Sequence, residues 1–282
     1  DSIRSIMRGY QKSGFLWLKT LRENGFGGIL ADDMGLGKTL QVISLLLSEQ
    51  ESAKAGEREW HRSLIVCPAS LVYNWGQEFA RFSPGIRVLL IAGTAKERQE
   101  QLEEQMRMEA SEGAQVIITS YDLLKRDRAA YLGRTFEYEI IDEAQVIKNA
   151  KTQGAKAVKE ISANARFALT GTPVENRLSE LWSIFDYLMP GFLYGYDTFR
   201  REFEIPVVKN NDQEAMERLQ RMVGPFILRR LKQDVLRDLP EKTEEVRYVQ
   251  MTGKQRKLYD GQAIHLRSPI LVAATLGIIS LF

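Results

Sequence analysis

The stretch Gly27-Gly28-Ile29-Leu30-Ala31-Asp32-Asp33-Met34-Gly35-Leu36-Gly37-Lys38-Thr39 starts as a short apolar run and ends in a glycine-rich turn. Gly27–Ala31 is too short for a helix and has the texture of a buried strand. Beyond the turn, Leu40, Ile43 and Leu47 fall on one face of a helix. A strand, a glycine turn and a helix in that order suit a phosphate group. The glycines let backbone N–H groups turn toward an anion, and the helix start adds its positive dipole end. Lys38 is then placed to reach β and γ phosphates, and the Thr39 hydroxyl to bind magnesium. The strict form of this loop has glycine at position 32, where this chain carries aspartate.

Outward from that turn, short β-branched runs recur at Ser63–Cys67, Ile86–Ala92, Gln115–Thr119, Glu137–Asp142 and Arg166–Thr170. Helix-period segments separate them, which predicts an α/β fold: a mostly parallel sheet covered on both faces. Leu71, Trp75, Phe79 and Phe82 repeat at helical spacing, so Trp75 reads as core. Lys96–Glu112 is dense in charge and reads as a solvated helix. From Leu178 the alternation gives way to helical patterns, through Leu181–Met189 and Glu214–Val223, to a capping box from Thr252 to Gln255. The organisation predicted is a nucleotide-binding lobe over 1–176, a helical protrusion returning to it over 177–250, and a terminal helix with a tail over 251–282.

Composition narrows the function. Of 282 residues, 39 are Lys or Arg and 37 Asp or Glu, a net charge of +2 that excludes a basic nucleic-acid coat and an acidic disordered tail. One cysteine, Cys67, and two histidines exclude a disulfide framework and a Cys- or His-rich metal site. No secretory signal is present, so the sequence reads as intracellular, with nucleus and bacterial cytoplasm both open. The start at Asp1-Ser2 reads as an excised fragment. The uncharged run Pro269–Phe282 falls short of the roughly 20 residues that span a bilayer. It reads as a helix deprived of its covering partner or as an added tail.

A second chemical signal is Ile140-Ile141-Asp142-Glu143-Ala144-Gln145. An apolar strand delivering two adjacent carboxylates complements the Lys38 turn: Asp142 to hold magnesium, Glu143 to orient and polarise the attacking water. The chain lacks the Asn-Lys-x-Asp guanine reader, which points to ATP as the nucleotide.

In this company the sequence resembles the Swi/Snf family of helicase-like ATPases, in helicase superfamily two, from Met7 to about Tyr259. The motifs that carry the resemblance are Arg8-Gly9-Tyr10-Gln11, Asp33–Thr39, Leu64–Leu71 with Asn74-Trp75, Thr119-Ser120-Tyr121, Asp142–Gln145 with Ile147-Lys148-Asn149, Leu169–Asn176 and Phe226–Arg230. The resemblance implies a RecA-like P-loop lobe that binds Mg-ATP as the first half of a double-stranded DNA translocase. It also implies the site residues. Gln11, Met34, Gly35, Leu36, Gly37, Lys38, Thr39 and Leu40 bind the nucleotide, with Lys38, Asp142 and Glu143 catalytic. Thr39 and Asp142 hold magnesium. Gln145, in place of the family's common histidine, couples the site together with Thr170, Gly171 and Thr172. Pro68, Ser70, Thr119 and Ser120 line the DNA side. The partners implied are duplex DNA and a second RecA-like lobe carrying the arginine fingers, whose motifs this sequence lacks. The alternatives are an ATPase acting on RNA polymerase or another protein–DNA complex, and an RNA helicase. The latter is disfavoured because Leu169-Thr170-Gly171-Thr172-Pro173 stands where that group has Ser-Ala-Thr.

Overall fold

Ser63-Leu64-Ile65-Val66-Cys67 and Val116-Ile117-Ile118-Thr119-Ser120 are buried at every position, the pattern of strands covered on both faces. The computed structural model describes residues 2–56, 59, 61–108, 112–171, 177–235 and 252–260. Its sheet consists of β1 (Gly28–Leu30), β2 (Ser63–Cys67), β3 (Val88–Leu90), β4 (Val116–Ser120), β5 (Thr135–Ile141), β6 (Ser162–Leu169) and β7 (Ile227–Leu228). The strand order is β3-β4-β2-β5-β6-β1-β7, and every pairing is parallel. All six predicted runs appear as strands, with ends that differ by a few residues.

Chain order and sheet order part company after β1: the chain leaves by the helix Lys38–Lys54 and re-enters the sheet at β2, beyond β5 and β6. Crevices at the carboxyl ends of strands next to such a reversal are where α/β sheets hold ligands. The glycine turn after β1 and the carboxylates after β5 both lie at that edge.

The helix Val72–Phe82 buries Val72, Trp75 and Phe79, so the periodicity placed Trp75 correctly in the core. The charged segment forms the surface helix expected, with most of its positions exposed. Its described helix, Ala95–Arg107, opens with a Thr94–Glu97 capping box and buries Arg98, Leu102 and Met106 at four-residue spacing. Arg98 reaches the core surface because Asp127 takes both ends of its guanidinium fork, at 2.7 and 2.9 Å. The helix is thus docked along one stripe.

Helices Leu178–Leu188 and Gln213–Val223 fall where helical patterns were read. The alternation does not end there, however, because β7 follows and pairs with β1. Residues 1–237 form one compact unit and 238–282 another. In the second unit residues 253–260 are helical, and the Thr252 N–H donates to Gln255 Oε1 at 3.0 Å, as a capping box requires. Pro269–Phe282 lies outside the described residues. Among the described residues no helix is long and apolar enough to cross a membrane.

Candidate functional site

The turn after β1 is built by glycine stereochemistry. Gly35 and Gly37 have φ of 85° and 75°, the left-handed region that side chains resist. Gly37 caps the helix Lys38–Lys54, whose first internal bond runs from the Gln41 N–H to the Gly37 carbonyl. The N–H groups of Lys38, Thr39 and Leu40 therefore precede the helical ladder and suit an anion. Leu36 and Leu40 bury their side chains, whereas Met34 is 72% exposed. Any role of the two leucines at a ligand therefore runs through their backbone. Gln11 is buried and spends its amide on the loop frame: its Nε2 donates to the Leu36 carbonyl at 3.1 Å, and its Oε1 accepts from the Arg8 N–H at 2.9 Å.

Lys38 donates to the Asp32 carbonyl at 2.7 Å and, more weakly, to the Asp33 carbonyl at 3.5 Å. Burial pulls its pKa down, against the fields of Asp142, Asp32, Glu143 and Asp33. Backbone carbonyls of the turn thus hold the ammonium, while four carboxylates act on it through space.

Asp142 follows directly on β5 and is held from three sides. Its Oδ2 accepts from Trp75 Nε1 at 3.0 Å, its Oδ1 from the Glu143 N–H at 2.9 Å, and its carbonyl from the Tyr121 hydroxyl at 2.8 Å. Burial pushes its carboxyl pKa up, opposed by the Trp75 and Glu143 hydrogen bonds. Glu143 has φ 53°, a costly conformation for a side-chain-bearing residue and one that clusters at functional sites. Gln145 Nε2 donates to Glu143 Oε2 at 2.6 Å, and the Thr170 hydroxyl donates to Gln145 Oε1 at 3.2 Å. The end of β6 is thereby wired to Glu143. A Cβ on Gly171 would stand 3.8 Å from Lys38 Nζ, so the same turn faces the lysine. Thr172 lies outside the described residues.

The donor set fits a magnesium nucleotide. Among the described residues no three His, Cys, Asp or Glu side chains gather to hold a metal. Magnesium on a nucleotide needs fewer, because phosphate oxygens and water complete its octahedron. Asp142 and Thr39 supply a carboxylate and a hydroxyl of the right chemistry. Glu78, which the sequence reading missed, lies half-buried near Asn74 and Thr39, and burial pushes its carboxyl up.

Asp32, the departure from the strict loop pattern, has its own partner. Both its carboxylate oxygens accept from the Arg230 guanidinium, one at 2.8 Å, and Gln41 Nε2 adds a bond at 3.2 Å. Arg230 also donates to Gln41 Oε1 at 2.7 Å and to the Tyr10 carbonyl. The fully buried aspartate thus ties β7 to the loop.

Comparison with known proteins identifies the family and the fold. The family model for the SNF2-related domain matches residues 10–277. The chain belongs to the SNF2-related family. An ATP-dependent helicase of Mycoplasma genitalium, MG018, is 42% identical over 91% of this chain and 23% of its own length. The TATA-binding protein-associated factor MOT1 of Saccharomyces cerevisiae is 41% identical over 92% of this chain and 14% of its own. The solved SWI2/SNF2 ATPase core of Sulfolobus solfataricus in complex with dsDNA superposes with a TM-score of 0.71 at 38% identity, covering 93% of this chain and 53% of that one. This chain therefore spans under a quarter of those relatives and about half of the solved core. The SNF2-related fold is RecA-like, and the family uses ATP.

In this SNF2-related domain the segments expected on the DNA side lie together, since β2 and β4 pair with Cys67 opposite Ser120. Ser70 is exposed and Pro68 partly so. Thr119 and Ser120 differ from expectation. Thr119 is fully buried, and Ser120, 3% exposed, spends its hydroxyl on the Leu123 N–H as a helix cap. Neither side chain is presented as a surface donor here, because the strand end that carries them is covered by the helix it starts.

Proposed function

We propose that this chain is the ATP-binding first lobe of a motor that translocates on double-stranded DNA. The observation that carries the reading is the relay Thr170–Gln145–Glu143, set beside Asp142 and Lys38. It links the expected water-activating carboxylate to the turn after β6. A motor needs such a link, because hydrolysis must be felt by the parts that move.

In this reading the loop N–H groups and Lys38 bind the β and γ phosphates, while Thr39 and Asp142 hold magnesium, which supplies charge neutralisation at the phosphates. Glu143 accepts a proton from the attacking water, its carboxylate steered by Gln145. Ser70, Pro68 and neighbouring backbone meet DNA phosphates without reading bases. The dsDNA bound by the Sulfolobus core supports duplex over RNA, and the two-fold greater length of that chain supports a second lobe outside this one. An arginine finger from such a lobe is typically worth about 1,000- to 100,000-fold in rate, so this lobe alone hydrolyses ATP slowly.

The test is ATP turnover by the full chain with duplex DNA, single-stranded DNA or RNA at low salt. Stimulation by duplex is expected. Stimulation by RNA alone would refute the reading, and activity needing only a protein partner would favour an ATPase that acts on a protein–DNA complex.

A further inference from the structure

Arg229, Arg230 and Lys232 form a small basic cluster in the sequence, after an apolar strip. The structure brings two of them to the phosphate loop. Strand β7 pairs with β1, and the contact continues beyond both strands: the Ala31 N–H donates to the Leu228 carbonyl at 2.7 Å, the Asp33 N–H to the Arg230 carbonyl at 3.0 Å, and the Lys232 N–H to Asp33 Oδ2 at 2.9 Å. Three bonds at alternate residues hold 228–232 alongside 31–33. The Arg230 fork on Asp32 locks the register at its middle.

That register delivers the Lys232 side chain to the glycine turn. A Cβ on Gly35 would lie 3.3 Å from Lys232 Nζ and 3.4 Å from its Cε. Lys232 is exposed, and among the described residues no carboxylate pairs with its ammonium. The charge balance of the site favours a second cation. Asp32, Asp33, Asp142 and Glu143 all act on Lys38, and the Arg230 charge is consumed by Asp32. A polyphosphate brings further negative charge, for which an ammonium on a flexible stem is a suitable partner.

We propose that Lys232 is a second phosphate-binding cation of the nucleotide site, carried to the loop by the Arg230–Asp32 clamp. The inference rests on the ATP reading above. Its test is calorimetric titration of the full chain with Mg-ATP and Mg-ADP, for the parent and for Lys232→Met, Lys232→Arg and Lys38→Ala. Lys232→Met should weaken both nucleotides about three- to tenfold, the loss of one charged hydrogen bond at an exposed site. Lys232→Arg should bind within about twofold of the parent, because the charge is kept. Thermal midpoints without nucleotide should not move, since the side chain packs against nothing it would leave empty. Unchanged nucleotide affinity in Lys232→Met, with Lys38→Ala unable to bind, would overturn the inference alone. So would a loss confined to duplex DNA affinity, which would make Lys232 a DNA contact. Full ATP affinity in Lys38→Ala would instead remove the ATP reading and this inference with it.

Discussion

Trp75 Nε1 stands 3.0 Å from Asp142 Oδ2, so a core side chain and the carboxylate at the end of β5 share one hydrogen bond. The indole is 1% exposed and tilts against Phe79, which makes it a packing residue and a positioning residue at once. These roles separate in Trp75→Phe, which keeps most of the ring volume and loses the donor. A thermal midpoint near that of the parent with turnover reduced severalfold is expected. Trp75→Ala should cost roughly 3 to 5 kcal/mol of stability, measured by urea unfolding. Parent-like turnover in the phenylalanine variant would leave Trp75 a packing residue only.

Lys38 and Glu143 should fail differently. In the ATP reading proposed above, Lys38→Ala removes the charge meant for the phosphates, and no Mg-ATP binding is expected by calorimetry. Glu143→Gln should bind ATP as the parent does and lose DNA-stimulated turnover, since only proton acceptance disappears. Retained turnover in Glu143→Gln would reassign the base.

The Thr170–Gln145–Glu143 relay should behave as one unit. Thr170→Val and Gln145→Leu are each expected to lower turnover, and the double variant to be no worse than the poorer single one, because both cut the same path. Steady-state ATPase measurements on the four proteins of the cycle check this. Additive losses would show that Gln145 steers Glu143 without help from Thr170.

Breaking the Arg230–Asp32 pair should be expensive. Asp32 is fully buried and the Arg230 side chain 13% exposed, so Arg230→Met strands a carboxylate in the interior and should cost about 3 to 5 kcal/mol. Adding Asp32→Asn removes the stranded charge and should recover part of that loss in denaturant unfolding. No recovery would mean that the Gln41 and Tyr10 contacts carry the stabilisation.

The thiol of Cys67 should be silent in the folded protein. It is buried at the end of β2, and burial, helped by Asp142, pushes its pKa up to about 12. Because the thiolate is the reactive form, alkylation by iodoacetamide at neutral pH should proceed only at the rate of unfolding. Rapid modification without denaturant would contradict the buried placement.

Six strands and the glycine turn were legible because each covers a continuous apolar run or a residue pattern with a stereochemical reason. Strand β7 was not, since two residues carry no periodicity and its pairing with β1 bridges a separation no local pattern records. The double duty of Trp75 was hidden for a related reason: helical spacing reports which face is buried but not what lies across from it. Asp32 did leave a signal, an acidic residue where a phosphate loop normally has glycine. Its meaning required Arg230, 198 positions away. Ser120 shows the reverse case, a hydroxyl placed by resemblance on a binding surface and taken locally by a helix cap.

That separation bears on how the protein is made. A ribosome releases Asp32 and the whole helix Lys38–Lys54 long before Arg230 emerges. During that interval the loop has neither its counter-ion nor its bordering strand. Closing so long a stretch of chain is slow relative to local helix formation. The nascent chain therefore acquires the bordering strand and the counter-ion of its glycine turn only after β6 and the helices beyond it have been made. A substitution at Arg230 would act first on the yield of folded protein, before any nucleotide is met.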